Sequence, residues 1–546
     1  MKNIKKIVQY TFVSLLFFMQ YSCTDDLNTS PDTGSSQDAE ALFSNPDSYK
    51  QFLAKLYAGL ATTGQSGPAG TGDLAGIDEG FSQYIRNFWN LQELTTDEAI
   101  IAWNDATIKD FHYHSWTASD GFLEATFARL AFQVTNCNEF LRQTTDEKLD
   151  SRGVTGELRN QIKTFRAEAR FLRALSYWHV IDLFGGASLE TENSSIEYHL
   201  PAYASRSELF SFVESELNAI NADLADPNTN EQNRVDKAAA WMLKAKLLMN
   251  AQVYVGVDRY TDAMSEIEKV INQTSYSINS NYRNLFIADN NSNGAQNEII
   301  FAVSFDGIHT KTYGGTTYLT HAPVGGSMTP SDFGINGGWA GLRTTSAFVE
   351  KFNGMDNDKR KQFYTDGQSL TISDVGSFND GYAISKWKNV TSAGVQGQDT
   401  GGDFVDTDFP MFRLGDVYLM YVECFLRGSG GSETNALQYF NDLRFRAFGN
   451  NSANITSFPT STSDKLQLVL DERARELHWE GHRRTDLIRF GQFTSSDYVW
   501  PWKGNVAGGI GTQSFRNLFP IPQKAIGTNS FLSIIFFTIR FINRMP

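Results

Sequence analysis

Asp97 and Glu98 are the two residues with the most direct reaction chemistry, since a pair of carboxylates at a suitable separation is enough to hydrolyse a glycosidic bond. Adjacent residues on a helix point apart, however, so the pair does not read as a glycosidase and no enzyme is expected. His478 and His482 stand four apart, the spacing at which one helix face presents two metal ligands. Trp479 follows the first histidine, where a zinc protease carries its general base. The acids and arginines from Asp471 to Arg489 are therefore expected to form an ion-pair network that locks the last long helix, with no metal. His112 and His114 read as surface or capping residues. Cys137 and Cys424 lie too far apart for a disulfide framework or a metal spacing and read as buried thiols. There is no phosphate-binding loop, no nucleophile elbow, and no G-x-G-x-x-G after a predicted strand. Phosphoryl transfer, serine hydrolysis and dinucleotide chemistry are thereby excluded, and no cofactor is expected.

Binding chemistry is better supplied. Aromatic residues make up 13% of the chain, with 21 Tyr and 10 Trp. Most must be core, but flat rings with a polar edge are also what the apolar C–H face of a sugar stacks against. Trp103 closes an apolar turn and reads either as such a platform or as ordinary core. Trp339 sits in Gly337-Gly338-Trp339-Ala340-Gly341, and glycines on both sides leave it little helix or strand to pack within. The formal charge is −15, and a leader containing Lys2, Lys5 and Lys6 but no acid makes the remainder more negative still. Such a surface repels nucleic acid and anionic membranes.

The elements that must position these residues are mainly helical. Across 158–183, Phe165, Ala169, Leu172, Ser176 and His179 recur at three- and four-residue steps, Arg166, Arg170 and Arg173 form the opposite stripe, and Gly185-Gly186 ends the helix. Alanines beside Trp241, Leu243 and Leu247 predict a close-packed helix over 237–254, paired with 258–271 as a tetratricopeptide-like helix–turn–helix. Further helices are expected at 46–60, 121–143, 205–224, 415–427, 433–446 and 463–490. Between about 280 and 408 the pattern turns to Gly, Asn, Ser and Thr with short alternating runs. That is loop and short strand, where binding is expected, together with 72–105.

The N-terminus sets the compartment. Three lysines precede an apolar run from Ile7 to Met19, too short for a transmembrane helix but suited to a signal peptide. Tyr21-Ser22-Cys23 resembles a bacterial lipoprotein cleavage site with Cys23 acylated, an ordinary signal peptide being the alternative. The expected organisation is a leader at 1–22, a flexible tether at 23–40 and one domain at 41–546. Within that domain a helical scaffold (41–279 and 409–526) frames the loop-rich region 280–408, with an atypical tail at 527–546.

Several stretches now fall in one order: Phe165-Arg166-Ala167-Glu168-Ala169-Arg170-Phe171-Leu172-Arg173-Ala174 running into Asp182-Leu183-Phe184-Gly185-Gly186; Phe412-Arg413-Leu414-Gly415-Asp416; Glu472-Arg473-Ala474-Arg475-Glu476-Leu477; and Phe519-Pro520-Ile521-Pro522. Together with the leader they resemble the RagB/SusD family over nearly the whole chain. The resemblance implies a mainly α, SusD-like fold and a non-catalytic, lipid-anchored outer-membrane protein. Such a protein captures oligosaccharide, with a lean towards a starch-like neutral glucan, for a SusC-like TonB-dependent transporter. Thr24-Asp25-Asp26 resembles the acidic stretch that sends such lipoproteins to the cell exterior. Peptide capture, known for some relatives, is the alternative. The family's starch site uses an Asp, an Arg and a Trp, which by similar spacing are Asp78, Arg86 and Trp103. Asn104 or Asp105 would be the neighbouring polar contact, because the family's Asn falls near Ala106. Trp339 would be the second aromatic wall, with Tyr313 or Tyr318 beside it. Asp78 and Arg86 paired with each other on the surface is the competing reading. The apolar residues after Ile526 depart from the polar tail usual in the family and are expected to pack poorly.

Overall fold

The structure is a computed structural model that describes residues 39–533 except 69, 71, 106 and 198. The expected leader, Cys23, most of the tether and the tail beyond Ser533 lie outside the described residues. The longer helices, in chain order, are α1 (Asp47–Ala61), α2 (Tyr84–Glu93), α3 (Gly121–Gln143), α4 (Gly156–Leu183), α5 (Arg206–Ile220), α6 (Lys237–Met249) and α7 (Tyr260–Ile271). After the short α8 (Gly315–His321) come α9 (Leu414–Leu426), α10 (Glu433–Phe448), α11 (Thr462–Leu477) and α12 (Arg483–Arg489). Consecutive helices pack on one another: α3 on α4, α4 on α5, α6 on α7, and α9 on both α10 and α11, with α7 against α9 joining the two halves. This is the stacked-pair architecture the helical periodicity predicts, and a mainly α fold. Among the described residues no helix is long and apolar enough to cross a membrane.

Local signals explain most boundaries. Ser205 caps α5 with a reciprocal capping box: its hydroxyl accepts from Glu208 N, and the Glu208 carboxylate accepts from Ser205 N at 2.7 Å. Ala238, Ala239, Ala240 and Ala245 are all buried, and their small side chains let α7 lie close against α6. The predicted helix over 237–254 is interrupted at Asn250, and a short segment, Ala251–Val255, ends at Gly256, whose φ of 74° is the left-handed stop.

The larger correction concerns 463–490, which is not one helix. The chain leaves α11 at His478 and turns through Trp479 (φ 61°) and Gly481 (φ 83°) before α12 begins. Two buried acids, Glu93 at the end of α2 and Glu98 just before Ile100, make this turn possible. Glu98 accepts from Trp479 N at 3.1 Å, and Glu93 accepts from Gly481 N at 2.6 Å and His482 N at 3.1 Å, so backbone donors released by the break are satisfied. A Cβ at residue 481 would come within 2.3 Å of Phe88, which restricts the position to glycine. His478 and His482 consequently share no helix face. His478 packs on Phe348 and its Nδ1 donates to Arg475 O at 3.1 Å, while His482 lies beside Lys246.

The expected ion pairs are present and extend well beyond α11 and α12. Arg413 reaches Glu298 (3.0 Å), Glu476 (2.6 Å) and Glu480 (2.6 Å), Arg360 bridges Asp358, Glu472 and Glu476, and Arg446 joins Glu298 and Glu476. A neighbouring set links Arg473 to Asp416 and Asp486, Lys246 to Asp416, and Arg489 to Glu423. All these side chains are buried. Burial pushes the Glu476 carboxyl up, but Arg446, Arg413 and Arg360 outweigh it and hold it at about 2.

Residues 280–408 carry short elements: 3-10 turns, α8, and strands that pair with distant partners. Strand β1 (Ile100–Ile101) pairs antiparallel with β3 (Leu342–Arg343), and β2 (Ile299–Val303) with β4 (Phe409–Arg413). Val324, Met328, Phe333, Ile335, Ala383 and Val405 form a small apolar cluster of their own beneath these loops, apart from the main core.

Candidate functional site

The β1–β3 pair brings the two tryptophans together. Ile100 is opposite Arg343 and Ile101 opposite Leu342, and Ala102 N donates to Gly341 O at 2.9 Å, so the chain leaving β1 runs alongside the loop that enters β3. Trp103 and Trp339, 236 residues apart, end with ring centroids 6.3 Å apart, tilted by 46°, and both rings are half-buried. Trp103 Nε1 donates to Trp339 O at 2.9 Å. A Cβ at residue 341 would lie 2.4 Å from the Trp103 indole, so Gly341 is needed for Trp103 to lie across it. Gly341 therefore does more than deny Trp339 packing: it admits the other ring.

Tyr313, 38% exposed, extends this surface, 6.4 Å from Trp339 and 5.4 Å from Phe404. The loop bearing Phe404 is tied to the loop bearing Trp339, since Asn336 N donates to Gly402 O at 3.1 Å and Asn336 Nδ2 donates to Asp403. Of the two tyrosines expected beside Trp339, Tyr318 is the one kept from the surface. It is fully buried within α8, its hydroxyl donates to Asn90 Oδ1 at 3.0 Å, and its ring meets Trp103 edge-on at 6.0 Å. It lies beneath the Trp103 ring.

Arg86, in the first turn of α2, lies with its guanidinium 4.5 Å from the Tyr318 ring centre and donates to Gly80 O. Burial lowers its pKa, and Tyr318, Asp105 and Asp78 act in the opposite direction. Among the described residues its Nε has no hydrogen-bond partner. Asp78 is exposed and turns its Oδ1 to Gly80 N at 2.7 Å rather than to Arg86, so the two do not form a direct surface pair. Asn104 and Asp105 are exposed next to Trp103, and Asn104 Oδ1 accepts from Lys109 Nζ at 2.6 Å. All eight expected residues thus lie in one neighbourhood: seven at or near the surface, and Tyr318 beneath it.

Two residues beside the shelf carry no signal in the sequence. Phe404 stands in an acidic, glycine-rich loop without periodicity, and Lys311 reaches over its ring at 5.7 Å. His321 ends α8 and stacks on Trp339.

The other candidates are accounted for elsewhere. Asp97 is buried and paired with Arg483 at 2.8 and 2.9 Å and with the Tyr498 hydroxyl at 2.6 Å, while Glu98 holds the Trp479 turn, so both carboxyls belong to the interior. His112 and His114 are buried rather than on the surface. His114 does cap its short helix, with φ 52°, and its Nε2 donates to Thr95 O at 2.8 Å. Cys137 and Cys424 are buried free thiols, and burial pushes Cys137 up to about 12. Two concave pockets of ≈350 and ≈270 Å³ are lined by residues unrelated to the shelf, such as Phe127 and Val134 in one and Leu53 and Arg234 in the other. The polar residues that converge on the paired tryptophans make the shelf the better candidate.

The described residues thus form a stack of helix pairs carrying an open aromatic shelf on its loops. The chain belongs to the SusD family: it is 35% identical to the starch-binding protein SusD of Bacteroides thetaiotaomicron, over 97% of this chain and 98% of that one. The SusD family profile matches residues 355–533. SusD-like protein P25 of Formosa agariphila is 29% identical over 60% of this chain and 63% of its own length. Among solved structures, a SusD superfamily protein of Parabacteroides distasonis superposes with a TM-score of 0.67 at 21% identity, covering 89% of this chain and 98% of that one. Surface glycan-binding protein A of Bacteroides fluxus gives 0.65 at 18% identity, over 88% and 96%. At these identities the structures establish the fold.

Proposed function

We propose that this chain is a non-catalytic glycan-capture lipoprotein. On this reading it is anchored to the outer membrane through Cys23, faces the cell exterior, binds neutral, starch-like oligosaccharide on the Trp103–Trp339 shelf and passes it to a SusC-like TonB-dependent transporter. The observation that carries the reading is the pair of half-buried indoles held 6.3 Å apart by the β1–β3 pairing. The 35% identity to a protein named for starch binding supports the choice of ligand. Covering about 100 Å² of apolar surface on one indole gives about 2.5 kcal/mol before ordering costs. Two or three rings plus hydrogen bonds to Arg86, Asp78 and Asn104 reach roughly micromolar to millimolar affinity. Weak capture suits a protein that must release its cargo.

Calorimetry with maltoheptaose tests the site. Trp103→Ala and Trp339→Ala should each weaken binding by between about tenfold and about seventyfold, the upper figure being one ring's apolar term. Unchanged affinity in both variants would remove the shelf as the binding site, and a response only to peptide pools would replace sugar as the ligand class.

A further inference from the structure

The sugar platform needs a rigid back. The loop from Asn336 to Gly341 has no regular secondary structure, and Ala340 within it takes a φ of 48°. One residue outside the shelf holds it by both main chain and side chain. His321, the last residue of α8, accepts from Trp339 N through its carbonyl at 2.9 Å. Its Nδ1 donates to Gly337 O at 2.7 Å, the direction being fixed because a carbonyl can only accept. Its ring stacks on the Trp339 indole with centroids 4.8 Å apart and planes 22° from parallel, the closest ring contact Trp339 makes. The imidazole is buried at 1% exposure. What the site uses is the combination of a flat face for Trp339 and a donor for Gly337.

We propose that His321 is a positioning residue for glycan binding: it never touches sugar and acts through Trp339, setting the tilt of the indole by the stack and fixing the loop by the Nδ1 hydrogen bond. This rests on the shelf being the binding site. Three substitutions separate the two contacts. His321→Phe keeps the stacked ring and loses the donor, His321→Asn keeps a short donor and loses the stack, and His321→Ala loses both. Maltoheptaose affinity by calorimetry is read beside the melting temperature of each variant.

The expected result is binding about tenfold weaker in His321→Ala, about fivefold weaker in His321→Asn and within about threefold of wild type in His321→Phe, an order that melting temperature does not follow. A His321→Ala protein that binds like wild type overturns the proposal, and so does a His321→Phe protein that loses as much as His321→Asn. If His321→Ala fails to fold, the Phe and Asn variants decide between the same outcomes. Trp339→Ala in the same series keeps the two failures apart. Loss of binding there with none in the histidine variants sinks only the role of His321, whereas no loss in either, or no binding of maltoheptaose by the wild-type chain, sinks the shelf itself.

Discussion

The interior around α9 to α12 and the shelf above β1 and β3 use polar groups in opposite ways. In the interior, every carboxylate of the Glu298, Glu472, Glu476 and Glu480 group meets at least one arginine or lysine, all of them away from water. Such pairs barely repay their desolvation, but breaking one leaves an isolated buried charge. On the shelf, the rings are only half covered and Asp78, Asn104 and Asp105 remain exposed. Charge is buried and paired in the interior, whereas the shelf leaves its polar groups open to solvent, where the proposed function places binding. The scaffold and the site should therefore respond to different mutations.

The sharpest separation comes from Arg413→Met. Glu298, Glu476 and Glu480 would each lose a cation, and a loss of about 3–5 kcal/mol in stability follows, seen as a lower urea midpoint. Maltoheptaose affinity of the protein that remains folded should stay within twofold, roughly, of wild type. A large loss of affinity at unchanged stability would erase the distinction between the regions.

Gly341→Ala probes the same contrast from the shelf side. The new methyl would lie 2.4 Å from the Trp103 indole and displace it. Affinity should fall about tenfold while overpacking removes about 1–3 kcal/mol of stability at most. Binding at the wild-type level would show that the Trp103 ring does not need its observed seat.

A smaller effect concerns pH. Burial raises the Glu93 carboxyl to about 7 from 4.5, and burial likewise raises Asp408 to about 7 from 3.8. The folded chain thus holds protons that the unfolded chain releases, so this contribution to stability is complete below those unfolded values and is lost as pH rises through about 7. Glu423 and Glu476, both held at about 2, act in the other direction: their contribution is present above 4.5 and is lost as pH falls through about 2. Glu93→Gln keeps an acceptor for Gly481 and removes the titration. The fall in melting temperature between about pH 5 and about pH 8 should shrink by about 1–3 °C, measured calorimetrically. An unaltered pH slope would show that Glu93 does not hold its proton in the fold.

The helices were largely legible in the sequence because their causes are local. Gly121–Gln143 matches the expected helix end for end, and the helix expected from 205 begins at Arg206, with Ser205 as its N-cap. The break between α11 and α12 was not legible, because the groups that permit it, Glu93 and Glu98, lie more than 380 residues away along the chain. The site was half legible. Glycines around Trp339 marked an unusual ring, but the two-residue strands that bring Trp103 to it are too short to show a pattern. Tyr318 could not be separated from Tyr313 by composition: the two differ in that α8 is buried along its whole length while the loop before it is not. The contacts of His321 were invisible because they exist only once Trp339 is seated against it.

The most direct test of the account is a crystal structure of the chain grown with maltoheptaose. The account places consecutive glucose rings across the faces of Trp103 and Trp339, with Tyr313 at one end and Arg86 within hydrogen-bonding reach. Sugar found only in one of the two unrelated pockets, with both indoles bare, would contradict it.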